Sequence, residues 1–206
     1  MMLKANGSMF SPTQQTPLAE FSFENEVRAE FNGVKLLELS NLEHFNLRLE
    51  PDNSHLVNQL QDALGFQIPL EPNTFVIHEN ILCSWLGPDE WLIVAPLDQS
   101  NRVETVVREN LTDHFATLTK LGSAQTIIRV SGLHAIEFLS RGIAIDLDPS
   151  GFKPGQCVQT IMAHANVTVL NHSLEESIFD LIVRRSFADH LWRWLLDVGQ
   201  EAEFRG

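Results

Sequence analysis

Arg184 and Arg185 are adjacent cations that close an apolar run and precede an amphipathic stretch, in a chain with 27 acidic and 14 basic side chains. Two guanidinium groups ahead of a helix N-terminus could hold an anion, because their forked N–H donors add to the backbone N–H groups and dipole there. Strand alternation works against that use. It would send one arginine to each face and leave one to pair with a nearby carboxylate. The remaining polar sets carry less chemistry. Asp146 and Asp148 could be paired carboxylates for acid–base work, yet both lie just ahead of Pro149, where aspartate is favoured for local turn bonding. Asp89-Glu90 has the same turn character. His164 and His172 flank a stretch of strand composition that could approach a hairpin partner, but lone histidines are more often hydrogen-bonded surface groups than metal ligands. There is no GxSxG, GxGxxG, phosphate-binding loop or HExxH pattern. Cys83 and Cys157 are too far apart in sequence for CxxC redox chemistry or a cysteine zinc site, and read as two buried free thiols in a reducing compartment.

The element that must position the arginines is Ile178 to Val198. Ile178–Val183 has the composition of a covered strand, and Ser186 is a natural N-cap for a following helix. Phe187, Ala188, Leu191, Trp194, Leu195 and Val198 fall on one wide stripe of that helix. Trp192 and Leu196 lie beyond its edge, one turn apart, as a second apolar patch. Tryptophan is enriched among protein–protein anchors, which makes Trp192 with Leu196 the interface candidate. Trp85 and Trp91 face each other across a polar turn as a cross-strand pair.

Residues 1–17, rich in Gly, Ser, Thr and Pro, read as a flexible leader. Residues 18–43 hold Phe21 and Phe23 in alternation, then Val34, Leu36, Leu37 and Leu39 after a tight turn at Asn32-Gly33. They form either an interaction arm or an edge hairpin. Residues 44–206 read as a single globular domain. Its order is a strand at Phe45–Leu49, a helix capped by Pro51–Ser54 and ended by Gly65, strands at Thr74–Ile77, Ile81–Leu86 and Trp91–Ala95, then a helix through Val103, Val107 and Leu111. His114–Leu121 and Ala124–Val130 look like a hairpin about Gly122-Ser123. A helix at His134–Arg141, strands at Cys157–Ala163, Val167–Leu170 and Ile178–Val183, and the last helix complete the chain. Strand–helix–strand–strand–helix thus occurs twice, over about 45–111 and 126–198. This predicts an α/β (α+β) fold of two ferredoxin-like split βαβ halves with mixed sheets.

Composition excludes several partners. With 44% apolar and 20% charged residues the chain is that of a globular protein, neither disordered nor membrane-embedded. A net charge of -13 argues against nucleic acid and anionic lipid, both of which need a basic face. The N-terminus lacks the apolar core of a signal peptide and no apolar run could span a bilayer, so the expected location is cytoplasmic.

Several blocks in order carry a family pattern: VKLLELSNLEHFNLRLEP, ALGFQIPLEPNTF, WLGPDEWLIVAP, RVSGLHAIEFLSRGIAIDLDPSGFKPGQCVQTIMA and FDLIVRRSFADHLWRWL. Together, from about Leu18 to Val198, they resemble the gamma subunit of heterotetrameric sarcosine oxidase. That subunit is similar in fold to the folate-binding domain of glycine-cleavage aminomethyltransferases. The resemblance implies an accessory subunit without catalytic residues, partnered by alpha, beta and delta subunits. It implies a flavoenzyme complex that oxidises sarcosine to glycine and passes the one-carbon unit to tetrahydrofolate. FAD, FMN, NAD, zinc and tetrahydrofolate would then sit on the other subunits and none on this chain. The alternative is a free-standing folate-binding or iron–sulfur-repair protein of the same fold. The repair proteins carry a cysteine in a KGC–GQE pattern, whereas here Cys157 follows Pro154-Gly155-Gln156 and no glutamate follows in register.

Overall fold

A computed structural model describes residues 16–22 and 28–201. The leader of the sequence reading lies outside these, apart from residues 16–17, as does Phe23. In chain order the strands are β1 (Arg28–Phe31), β2 (Val34–Leu39), β3 (Leu42–Arg48), β4 (Phe75–His78), β5 (Ile81–Gly87), β6 (Glu90–Pro96), β7 (Thr117–Lys120), β8 (Gln125–Ser131), β9 (Cys157–Met162), β10 (Ala165–Ser173) and β11 (Ile178–Arg184). The helices are α1 (Ser54–Leu64), α2 (Leu97–Leu111), α3 (Ala135–Ser140) and α4 (Arg185–Glu201).

The strands form a six-stranded sheet, β1-β2-β8-β11-β10-β9, and a five-stranded sheet, β4-β5-β6-β3-β7. The run β9-β10-β11-β8 in the first repeats the run β4-β5-β6-β3 in the second. In each, the strand before the helix and the strand of the hairpin that follows it are separated by one antiparallel strand, which is the split βαβ arrangement. That inserted strand makes every pairing antiparallel. The expectation of mixed sheets is corrected accordingly.

Local chemistry explains the boundaries. Asn53 Oδ1 accepts the Leu56 N–H at 3.2 Å and opens α1, while Gly65, at φ +83°, closes it by donating to Gln61 O at 2.8 Å. Asn32 and Gly33, at φ +39° and +80°, make the two-residue turn of the β1–β2 hairpin, and β2 pairs directly with β8. Gly132 must be glycine. At φ +114° its backbone passes so close to the Gly33 carbonyl that a Cβ would overlap it.

Helices cover the outer face of each sheet and the two sheets face one another. Along β6, Trp91, Ile93 and Ala95 join the α1–α2 core, whereas Leu92 and Val94 join the layer between the sheets with Ile127, Leu170 and Ile182. A strand covered on both sides has no reason to alternate polar and apolar residues, and so β6 and β11 are nearly continuous apolar runs.

Two sequence expectations fail here. Residues 114–130 are not a hairpin: β7 hydrogen-bonds to β3 in one sheet and β8 joins β2 and β11 in the other, with a 3-10 turn at Gly122–Ala124 between them. Burial gives the reason. β7 buries only Leu118 and suits an edge, but β8 buries residues on both faces and needs neighbours on both sides. Ser186 is also not a cap, because α4 starts at Arg185 directly after β11 and contains Ser186 in its first turn.

Candidate functional site

The inward face of the six-stranded sheet is set by register. One cross-strand row runs Ile127, Ile182, Thr168 and Gln159, and the next runs Arg129, Asp180, Leu170 and Cys157. Beyond the first row, Gln125 pairs with Arg184 and Asn166 with Ile161. That end of the face opens into a cleft of about 890 Å3, closed on the other side by Asn46, Leu86, Glu90 and Leu92 of the five-stranded sheet.

Arg184 lines this cleft and is exposed. Arg185 does not join it. Its charge acts on Glu38, on the α4 side of the sheet, and it is half-buried. The alternation expected of a strand end thus separates the two arginines, and the paired anion site is not assembled. Across the cleft, Glu90 is engaged by Arg48 Nη2 at 2.7 Å and by Asn46 Nδ2 at 2.7 Å, and Arg48 also meets Asp89 at 3.2 Å. The Asp89-Glu90 turn therefore anchors a cation.

Trp192 is not at the surface. It is 1% exposed and belongs to the core of the six-stranded sheet, with Leu196 half-buried against the same core. The patch it was expected to offer to a partner is covered by the chain itself. Leu18 is fully buried in that core, Phe21 sits in a 3-10 turn with its ring 6.3 Å from the Trp192 ring, and Arg193 lies 4.7 Å over Phe21 while meeting Glu20 at 3.2 Å. Trp91 is likewise buried, its indole N–H donating to Pro69 O at 2.6 Å, and it pairs in register with Trp85.

Asp146 Oδ1 accepts from Asp148 N at 2.9 Å and Asp148 Oδ1 from Ser150 N at 2.8 Å. They hold a loop and face no common proton. His164 sits in the β9–β10 turn at φ +66°, remote in role from His172. His172 belongs to a set that sequence reading missed. Asp180, 3% exposed, accepts from Arg129 Nε and Nη2 at 2.8 and 2.9 Å, and His172 Nε2 lies 2.7 Å from its Oδ2. Burial opposes charge on Asp180, but the hydrogen bonds and charges of Arg129 and His172 outweigh it and hold the carboxyl below its usual range. A charged residue inside each of two apolar runs, Ile127–Val130 and Phe179–Val183, was the available signal. Both cysteines are free and buried, and burial raises both thiols, so neither is a nucleophile at neutral pH. Among the described residues no cluster of three or more His, Cys, Asp or Glu could hold a metal.

His44, on the inward face of β3, is 2% exposed and neither ring nitrogen has a hydrogen-bond partner. Burial lowers its pKa from 6.5 to about 4. Below pH 6.5 the unfolded chain takes up a proton that the folded chain refuses. Stability is therefore full above that pH and falls by about 3 kcal/mol as pH drops toward 4. Glu38 acts in the opposite sense. Burial raises its carboxyl despite the bond from Thr126 at 2.7 Å, so its contribution is lost as pH rises through that raised value. Urea unfolding at pH 7.0 and 4.5 should show the wild type losing about 2–3 kcal/mol more than His44→Phe. Equal losses in the two proteins would rule out a neutral buried imidazole.

Residues 50–201 match the family described as "Sarcosine oxidase, gamma subunit family". The sarcosine oxidase gamma subunit of Corynebacterium sp. (strain P-1) is 27% identical over 169 residues, spanning 82% of this chain and 81% of that one. The Arthrobacter sp. gamma subunit is 28% identical over 143 residues, 69% of this chain and 68% of its own. The fold matches a chain of the heterotetrameric sarcosine oxidase from Corynebacterium sp. U-96 in complex with pyrrole 2-carboxylate, with TM-score 0.80 and 23% identity over 93% of this chain and 98% of that one. Glycine cleavage system aminomethyltransferase T from Bartonella henselae shares the fold at TM-score 0.60 and 12% identity, over 81% of this chain and 46% of that one.

Proposed function

The chain belongs to the sarcosine oxidase gamma subunit family, and from that premise we propose that it is a non-catalytic subunit that braces the larger subunits of a sarcosine-oxidising complex. The observation that carries this reading is the agreement of two kinds of likeness over most of the chain. The family match spans residues 50–201, and the shared fold spans 93% of the chain with a subunit of a heterotetramer. The interior is consistent with it. Asp180 is engaged by Arg129 and His44 is held neutral, so neither of these buried groups is set up for acid–base work.

In this reading alpha, beta and delta subunits supply the partners and hold FAD, FMN, NAD, zinc and tetrahydrofolate. The flavin would accept the electrons of sarcosine oxidation, and this chain would contribute shape and surface. Among the described residues no helix is long and apolar enough to cross a membrane, and the proposal places the assembly in the cytoplasm.

Tagged chain recovered from its native source should bring down large flavin-binding subunits in equal stoichiometry. The chain purified alone should show neither flavin absorbance nor sarcosine turnover. Recovery as a monomer that binds tetrahydrofolate, or a flavin spectrum from the isolated chain, would overturn the accessory role.

A further inference from the structure

We propose that the cleft between the two sheets is a binding site for a small organic monocarboxylate with an apolar body, seated with its carboxylate on Arg184. The charge of the cleft comes first. Glu90, the acidic side chain lining it, is already compensated by Arg48 and hydrogen-bonded by Asn46. The Arg184 side chain has no ion-pair or hydrogen-bond partner among the described residues. Arg48 and Arg184 together balance Asp89 and Glu90, so this end of the cleft carries no net charge and Arg184 is the lining cation still open to an anion. A planar guanidinium matches a carboxylate in two parallel bonds. One such group, with Arg185 on the other side of the sheet, suits a single negative charge better than a multiply charged phosphate.

Register then supplies the neighbours. Gln125 lies directly across from Arg184, and its Oε1 is buried without a partner. Thr168 is in the adjacent row and also lines the cleft. Thr168 can hydrogen-bond a polar atom next to the carboxylate, whereas Gln125 Oε1 lies below the cleft surface. Leu86, Leu92 and Ile182 supply apolar walls on both sheets. A volume of about 890 Å3 is within the span of ligand pockets, roughly 300–1,000 Å3. A bound molecule would span the two sheets, with its charge at the mouth and its body against the inter-sheet layer. The proposal does not rest on the subunit reading, since it concerns only side chains of this chain.

Calorimetric titration of the full chain, in whatever assembly it purifies with, tests the site with 2-naphthoate and its uncharged isostere 2-naphthamide. The wild type should bind 2-naphthoate saturably, and 2-naphthamide about tenfold or more weakly. Arg184→Gln, at an exposed position, should lose about tenfold in affinity for the acid, and Thr168→Val should lose a few-fold. Absence of saturable binding, equal affinity for acid and amide, or an unchanged Arg184→Gln protein would each overturn the proposal. Co-purification bears on the subunit reading alone, so either idea can fail without the other.

Discussion

Trp192→Ala is expected to destabilise the folded chain by about 3–5 kcal/mol, the usual cost of truncating a fully buried tryptophan, and to lower the midpoint of thermal unfolding by roughly 10 °C. The indole is 1% exposed and packs within the sheet–helix core of β8, β11 and α4, capped by Phe21. Removing it leaves a cavity that Leu18 and Leu195, both fully buried, cannot fill without leaving their own sites. Trp192→Phe should recover most of the loss. Calorimetry of the two variants decides between core and interface. A Trp192→Ala protein that melts within about 2 °C of wild type, while losing a partner, would mean that the side chain is a surface anchor after all.

Asp180→Ala should cost about 3 kcal/mol, the low end for breaking a buried pair. Asp180 is the junction of the network. Its loss leaves the Arg129 guanidinium and His172 facing an apolar layer that includes Phe75, whose ring is 5.0 Å from the His172 ring. The low end is chosen because the Arg129 side chain remains 34% exposed and can partly rehydrate. The sign of the pair as a whole is different. Removing both charges together, as Arg129→Met with Asp180→Leu, should restore most of the stability, because the desolvation of two ions is relieved along with their attraction. Since the folded carboxyl is held low, the Asp180 contribution is present at neutral pH and lost as pH falls through the depressed value. Chemical unfolding of the single and double variants at pH 7 checks both statements. A double variant no more stable than Asp180→Ala would show that the pair contributes more than it costs to bury.

Much of the local structure was legible from residue types. The α1 boundaries followed from the Pro51–Ser54 stretch and Gly65, the structure singling out Asn53 as the cap, and the β5–β6 and β1–β2 hairpins from their turn residues. The strand-to-helix passage at Ile178–Val198 also followed from its pattern, although its cap did not. The buried stripe of α4 was misplaced for an identifiable reason. It runs through Ala188, Leu191, Trp192, Leu195 and Gly199, whereas Phe187 is 39% exposed. Counting large apolar residues gives Phe187 weight and Gly199 none. Yet Gly199 is where Phe31 of β1 presses closest, and a Cβ there would overlap its ring. Close approach selects a small residue, and hydrophobic periodicity does not register it.

The sequence by itself determined the element types, the doubled strand–helix–strand–strand–helix order and the family, because capping, turn chemistry and side-chain period act over a few residues at a time. Tertiary structure alone decided which sheet β7 and β8 enter, which apolar patch the chain covers with its own residues 18–21, and which polar groups meet. Arg129 and Asp180 are 51 residues apart, and Arg184 faces Glu90 across a cleft made by both sheets. Such meetings depend on the register of strands and the stacking of layers, which are set by the burial of the whole core rather than by any local stretch.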